Sequence, residues 1–98
     1  MIDASDPTAV RARISVSGRV QGVGYRAFTV RIATQRGLLG GVRNCDDGRV
    51  ELEAEGPQDR ILSLIEELKV GPPASRVTAV QVEWVKATGR DTGFRVWY

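Results

Sequence analysis

The chain contains no histidine among its 98 residues, and this absence restricts the chemistry it can perform. Without histidine it cannot build a Ser-His or Cys-His catalytic pair, nor a zinc site with histidine ligands. It also lacks the side chain that most often acts as a general base near neutral pH. Any catalysis must therefore proceed without an imidazole.

Cysteine and long apolar runs are also scarce. The single cysteine, Cys45, excludes an internal disulfide and suits a reducing compartment, where we expect it to be structural. No stretch is apolar enough to cross a membrane, and the first eight residues lack the apolar segment of a signal peptide. We therefore expect a cytoplasmic protein that does not enter the membrane.

Composition places the chain among ordinary globular domains, with 42% hydrophobic and 27% charged residues. Its length suffices for one domain, which we predict at residues 9–98, preceded by a flexible tail at residues 1–8. The net charge of +2 mildly favours an anionic partner.

Hydrophobic periodicity predicts the secondary structure. Alternating apolar residues indicate strands at 10–17, 38–45, 49–55 and 77–85 and a short final strand through Phe94, Val96 and Tyr98. Helical spacing indicates one helix at 25–36 and another that opens at Gly56-Pro57 and stops at Gly71. The second helix should bury a wide apolar stripe: Ile61, Leu62, Leu64, Ile65 and Leu68. In the third strand we expect one face to be apolar (Val50, Leu52, Ala54) and the other acidic (Glu51, Glu53, Glu55).

The order strand, helix, strand, strand, helix, strand is typical of a split βαβ arrangement. The third strand then lies between the first two, which run parallel, and both helices cover one face of a mostly antiparallel sheet. Asn44, at the end of the second strand, should therefore lie beside the loop that follows the first strand.

That loop is rich in glycine and leads directly into the first helix. Gly18, Gly22 and Gly24 allow successive backbone N–H groups to converge, and the helix start adds further donors and the positive end of its dipole. Arg26, in the first helical turn, can hold two oxygens of a phosphate at once. The segment therefore predicts an anion site, and its substrate should be a phosphoryl compound.

Two motifs, Gly18–Arg26 and Gly40–Asn44, together resemble the acylphosphatase family, and the resemblance continues through Asp46–Glu51. Gly71-Pro72-Pro73 and the ending Phe94-Arg95-Val96 are similar as well. The resemblance implies a ferredoxin-like α/β sandwich that hydrolyses the carboxyl-phosphate bond of acyl phosphates without metal or cofactor.

The resemblance also assigns residues to roles. Arg26 would bind the phosphoryl group and Asn44 would orient the attacking water. The phosphate-binding loop would comprise Gly18, Arg19, Val20, Gln21, Gly22, Val23, Gly24 and Tyr25, although we expect the Arg19 side chain to face solvent. One departure is Gly41, where the family usually carries a bulky aromatic residue. We expect a monomer that uses a small acyl phosphate, is inhibited by inorganic phosphate and binds no nucleic acid.

The chemistry agrees with the missing histidine. The leaving carboxylate has a pKa of about 4, so it needs no proton from a general acid. Preorganised donors around the phosphoryl oxygens supply the main stabilisation in a loose phosphoryl transfer. Asp46 and Asp47 are expected to shape a turn rather than bind a metal.

Other interpretations remain open. For their residue types taken alone, a solvated helix surface is the commoner place for Arg26 and a hairpin-turn cap the commoner role for Asn44. The same element order builds RNA-binding domains of the RRM type, which stack bases on strand aromatics, but here the third strand would present glutamates. A domain of a larger maturation enzyme that is noncatalytic or handles carbamoyl phosphate is a further possibility, although the span from Met1 to Tyr98 favours an independent small enzyme.

Overall fold

The computed structural model describes residues 8–98, which form two helices and a five-stranded sheet. In chain order the elements are β1 (Ala9–Arg19), α1 (Tyr25–Gln35), β2 (Leu39–Asn44), β3 (Val50–Pro57), α2 (Gln58–Val70), β4 (Arg76–Val85) and β5 (Phe94–Val96). The predicted order is confirmed. The predicted tail at residues 1–8 lies outside the described residues except for Thr8, which forms a turn before β1.

The sheet has the strand order β4-β1-β3-β2-β5. β3 pairs antiparallel with both β1 and β2, so those two strands run in the same direction, as predicted. The short β5 joins the edge beside β2 and pairs with it in parallel. The loop after β1 and the end of β2 consequently lie at one edge of the sheet.

One hydrophobic core fills the space between the helices and the sheet. Helix α1 contributes Tyr25, Phe28, Ile32 and Ala33, and helix α2 contributes Ile61, Leu64, Ile65 and Leu68. The inward residues of β1 and β3, which include Ile14, Val16, Val50 and Leu52, meet them from the sheet. None of the helices within residues 8–98 has the length and apolar character needed to span a bilayer.

Two details of α2 differ from the prediction. Gly56 still pairs with Val10 in the sheet and Pro57 is the N-cap with an extended backbone, so the helix begins at Gln58 rather than at Gly56-Pro57. Leu62 is 47% exposed instead of buried, because the core-facing positions are already occupied by Ile61, Leu64, Ile65 and Leu68.

The predicted acidic face of β3 is present, but its three glutamates differ in burial. Glu55 does lie on the face away from the helices, but there it is buried together with Arg11. Arg11 donates to Glu53 (Nε to Oε1, 2.7 Å), to Glu55 (Nη1 to Oε1, 3.0 Å) and to Asp91 (Nη1 to Oδ2, 2.8 Å). The loop between β4 and β5 covers this cluster.

The Glu55 side chain holds that loop by binding the loop's backbone. It accepts hydrogen bonds from the N–H groups of Thr88 and Gly89, both at 2.8 Å. Burial by itself disfavours the carboxylate, but these hydrogen bonds and that of Arg11 outweigh it and keep the pKa of Glu55 below its ordinary value of 4.5. The ionised form is therefore the one that the fold stabilises.

Glu55→Gln should lower the free energy of unfolding at pH 7 by about 3 kcal/mol, since it leaves the buried Arg11 charge with fewer acceptors. Because the pKa of Glu55 is lowered in the folded state, its contribution is complete above the ordinary value of 4.5 and is lost as the pH falls through the folded value. Urea unfolding between pH 7 and pH 3 should accordingly show a shallower loss of stability in the variant.

Glu66→Gln provides the matched control, because the Glu66 side chain is 72% exposed in a surface ion pair with Lys69. Such pairs contribute little to stability. Equal destabilisation by the two substitutions would contradict a special role for the buried cluster.

Candidate active site

The segment between β1 and α1 is built on two glycines with left-handed backbones. Gly22 has φ of 73° and Gly24 has φ of 80°. A Cβ atom at either position would meet no other atom within 4 Å, so backbone conformation rather than space requires glycine here. The turn directs the chain from the sheet into the first turn of α1.

The start of α1 has no side-chain cap. Gly24 occupies the N-cap position without a capping side chain, and no acidic residue lies in the first turn. Phe28 makes the first intrahelical hydrogen bond, to the carbonyl of Gly24 at 3.0 Å. The N–H groups of Tyr25, Arg26 and Ala27 precede it and have no carbonyl four residues back within the helix. The positive end of the helix dipole thus faces this edge of the sheet.

Gln21 attaches the glycine loop to the β2–β3 hairpin. Its Nε2 donates to the carbonyl of Cys45 at 2.7 Å and to that of Arg49 at 3.0 Å. The Gln21 side chain is therefore used to hold the loop beside the end of β2. The neighbouring Asn44 is brought next to the glycine turn in this way.

Arg26 and Asn44 line the same pocket, which has a volume of about 310 Å³. Its wall consists of the loop, the first turn of α1 and the end of the chain: Val20, Gly22, Gly24, Tyr25, Arg26, Ala27, Asn44, Val96 and Tyr98. Both polar side chains are half-buried. Within residues 8–98, no hydrogen bond or ion pair holds the Arg26 guanidinium.

Asn44 carries an unusual polar atom. Its Oδ1 is buried, yet it accepts no hydrogen bond from the part of the chain that the structure describes. A buried acceptor without a donor costs about 1–3 kcal/mol. An acceptor retained at such a cost beside a cluster of free N–H groups is typical of a ligand or substrate site.

Several predicted loop residues lie elsewhere. Gly18 and Arg19 belong to β1, where they pair with Val77 and Arg76 of β4, and Arg19 is exposed. The Val23 side chain packs against the hydrophobic core. Tyr25 contributes to the pocket but donates its hydroxyl hydrogen to the carbonyl of Leu68 at 2.7 Å, and burial raises the pKa of its phenol.

The remaining predictions for this region concern Cys45 and the turn. Burial raises the pKa of the Cys45 thiol, which keeps it protonated near neutral pH and unsuited to nucleophilic attack. Asp47 accepts hydrogen bonds from the backbone and guanidinium of Arg49 and so shapes the turn. Among residues 8–98, no group of three or more acidic, cysteine or histidine side chains is placed to share a metal ion.

Three pocket residues were missed by sequence reasoning: Ala27, Val96 and Tyr98. The position of Ala27 in the first helical turn was a usable signal. No sequence signal placed Val96 or Tyr98 at the pocket, because they reach it only through the parallel pairing of β5 with β2.

A larger groove of about 570 Å³ lies on the open face of the sheet. Its charged side chains largely neutralise each other, as in the pair Arg43–Glu51 at 2.9 Å. The hydrogen bond from Arg43 also holds the pKa of Glu51 below its usual range. This face therefore offers no concentrated charge of one sign, unlike the pocket at Arg26.

Comparison with known proteins decides the family. A family model described as Acylphosphatase matches residues 12–96. The chain belongs to the acylphosphatase family. An acylphosphatase of Salinibacter ruber is 49% identical over 89 residues, which cover 91% of this chain and 94% of that protein.

Solved structures agree with this assignment. The crystal structure of an acylphosphatase from Bacillus subtilis is similar with a TM-score of 0.88 and 44% identity, covering 91% of this chain and 99% of that one. Full-length HypF, in a phosphate- and nucleotide-bound form, is similar with a TM-score of 0.81 and 30% identity, but only over 12% of its length. The acylphosphatase fold thus occurs both as a small protein and as one part of a longer chain.

Proposed function

We propose that this protein hydrolyses acyl phosphates to a carboxylate and inorganic phosphate at the pocket between the glycine loop and Asn44. The observation that carries the proposal is the convergence of Arg26, the free N–H groups at the start of α1 and the unpaired Oδ1 of Asn44 on one pocket. Membership of the acylphosphatase family supports it independently.

In the proposed reaction, Arg26 and the N–H groups of the loop bind the nonbridging oxygens of the phosphoryl group. These donors compensate the negative charge on those oxygens in the transition state and need no rearrangement during the reaction. The planar guanidinium can contact two oxygens at once. Arg26 suits this role because no ion pair within residues 8–98 competes for it.

Asn44 is proposed to hold the attacking water through its Oδ1. The water oxygen forms a bond to phosphorus as the bond from phosphorus to the bridging oxygen breaks, and that electron pair leaves with the carboxylate. The water proton passes to a phosphate oxygen, so no basic side chain is needed. This balance fits a leaving group whose conjugate acid has a pKa of about 4.

We further propose that the protein acts as a cytoplasmic monomer without metal or cofactor and binds no nucleic acid. A single cysteine suits a reducing compartment. The charged side chains on the open face of the sheet largely neutralise each other, so that face offers no concentrated positive charge to bind a phosphate backbone.

The direct test is release of inorganic phosphate from a small acyl phosphate such as benzoyl phosphate, with and without a chelator. We expect equal rates in both conditions and competitive inhibition by inorganic phosphate, which presents the same oxygens as the substrate. Activity that disappears with the chelator and returns with a divalent ion would contradict the proposal. Noncompetitive inhibition would place the anion site elsewhere.

Arg26→Ala should lower kcat/KM by roughly 10²-fold or more, as expected when one charge-stabilising donor is removed. Thermal unfolding should change little, since the side chain has no ion pair to lose among the described residues. Arg31→Ala is the matched control, because Arg31 is an exposed arginine of the same helix that lies over the Phe28 ring, away from the pocket. Comparable losses of activity in both variants would show that only the general charge of α1 matters.

Asn44→Ala should lower kcat strongly while the inhibition constant of inorganic phosphate stays nearly unchanged, the result expected for a group used mainly in the transition state. Its stability should not fall, because the substitution removes a buried acceptor that has no partner within residues 8–98. Asn44→Asp should also weaken phosphate binding by charge repulsion. Full turnover in the Ala variant would leave Asn44 as a turn residue only.

A further inference from the structure

Gly41 lies in β2 under the side chain of Trp97. A Cβ atom built on Gly41 would overlap the Cε2, Nε1 and Cδ2 atoms of the indole. Gly41 is not one of the glycines with positive φ, so its backbone would accept a side chain. The absence of a side chain is therefore explained by the space that the indole occupies. This contact fills the place where the family resemblance implied an aromatic residue.

The same tryptophan is attached to β2 through its backbone. Its N–H donates to the carbonyl of Val42 at 2.7 Å, directly after the parallel pairing of Val96 with Val42. The indole over Gly41 and this hydrogen bond are two separate attachments of Trp97 to β2. Together they hold Val96 and Trp97 along β2.

Trp97 stands between two residues of the phosphate pocket. Val96, which is half-buried, lines it together with Arg26 and Asn44, whereas Tyr98 is fully exposed and borders both this pocket and the groove on the open face. Trp97 itself lines the groove on the other face of the sheet, so it does not contact the pocket contents. A movement of its backbone would therefore displace Val96 in the pocket wall.

We infer that Gly41 and Trp97 form a matched pair that positions Val96 in the pocket wall and thereby sets the affinity of the pocket for phosphoryl compounds. Trp97 is in this sense a positioning residue. The inference rests on the proposed function, since it assigns the affinity to the same pocket.

The test is a double-mutant cycle with Gly41→Ala, Trp97→Ala and the combined variant. The inhibition constant of inorganic phosphate and the KM for benzoyl phosphate are measured on each folded protein, with kcat measured in parallel. In the wild-type background Gly41→Ala should raise both constants about fivefold or more, a coupling of the size found for residues in contact. It should raise them less than about twofold in the Trp97→Ala background, where no indole must move.

Gly93→Ala is the control, because it also adds a methyl group to a glycine beside β5. The nearest atom to a Cβ there is Nη2 of Arg95 at 3.6 Å, so the side chain fits without displacement. Gly93→Ala should leave phosphate affinity unchanged. A loss equal to that of Gly41→Ala would overturn the inference.

Fluorescence reports the movement independently of activity. With Trp84→Phe as background, Trp97 is the remaining tryptophan of the chain. Gly41→Ala should shift its emission to longer wavelength as the indole moves into water. If Gly41→Ala does not fold, Trp97→Ala and Trp97→Phe provide the test instead. Both should raise the inhibition constant of inorganic phosphate, and Trp97→Ala should raise it more.

Two further results would overturn the inference. The first is a lowered melting temperature with phosphate affinity and KM within twofold of wild type, which would make the pair purely structural. The second is an equal effect of Gly41→Ala in both backgrounds. Phosphate binding by Arg26→Ala distinguishes failure of this inference from failure of the proposed function. If the variant binds phosphate as tightly as the wild type, phosphate binds outside this pocket and both proposals fail. If it binds phosphate more weakly, the two results above count against the Gly41–Trp97 pair alone.

Discussion

Antiparallel pairing of β3 with both β1 and β2 is the constraint on which the site depends. It makes β1 and β2 parallel, so the loop that leaves β1 and the residue that ends β2 meet at one sheet edge. Gln21 then joins the two with hydrogen bonds to the hairpin carbonyls. The distance between Arg26 and Asn44 is thus set by the rigid sheet and by one amide side chain, rather than by contacts between the two residues themselves.

The electrostatic character of the pocket combines backbone N–H groups with one arginine. A glycine turn leads into an uncapped helix, so several N–H groups and the dipole face the same point. Arg26 adds the only formal charge among the pocket-lining side chains of the described residues. Such a site suits a reaction in which an oxyanion must be held and no proton must be given to the leaving group. A chain without histidine can perform that reaction.

The segments before and after the edge strand β5 are both held by contacts with the rest of the sheet. On the open face, the loop before it is held by Glu55, whose carboxylate accepts two backbone N–H groups while paired with Arg11. At its end, Trp97 lies over Gly41, and Val96 lines the pocket. The chain is thus attached to the sheet both before β5, at Glu55, and after it, at Gly41 and Val42.

The sequence by itself determined the element order, because periodicity and turn glycines are local properties. The parallel course of β1 and β2 and the meeting of the glycine loop with Asn44 followed from that order through the general rule that such crossovers are right-handed. A short motif also predicted Arg26 at this junction, where it lines the pocket. Tertiary structure alone decided the burial of Arg11 and Glu55, the exposure of Leu62, the overlap of Trp97 with Gly41 and the presence of Val96 and Tyr98 at the pocket. Each of these depends on which distant segment covers a residue, and alternation along one strand carries no information about that.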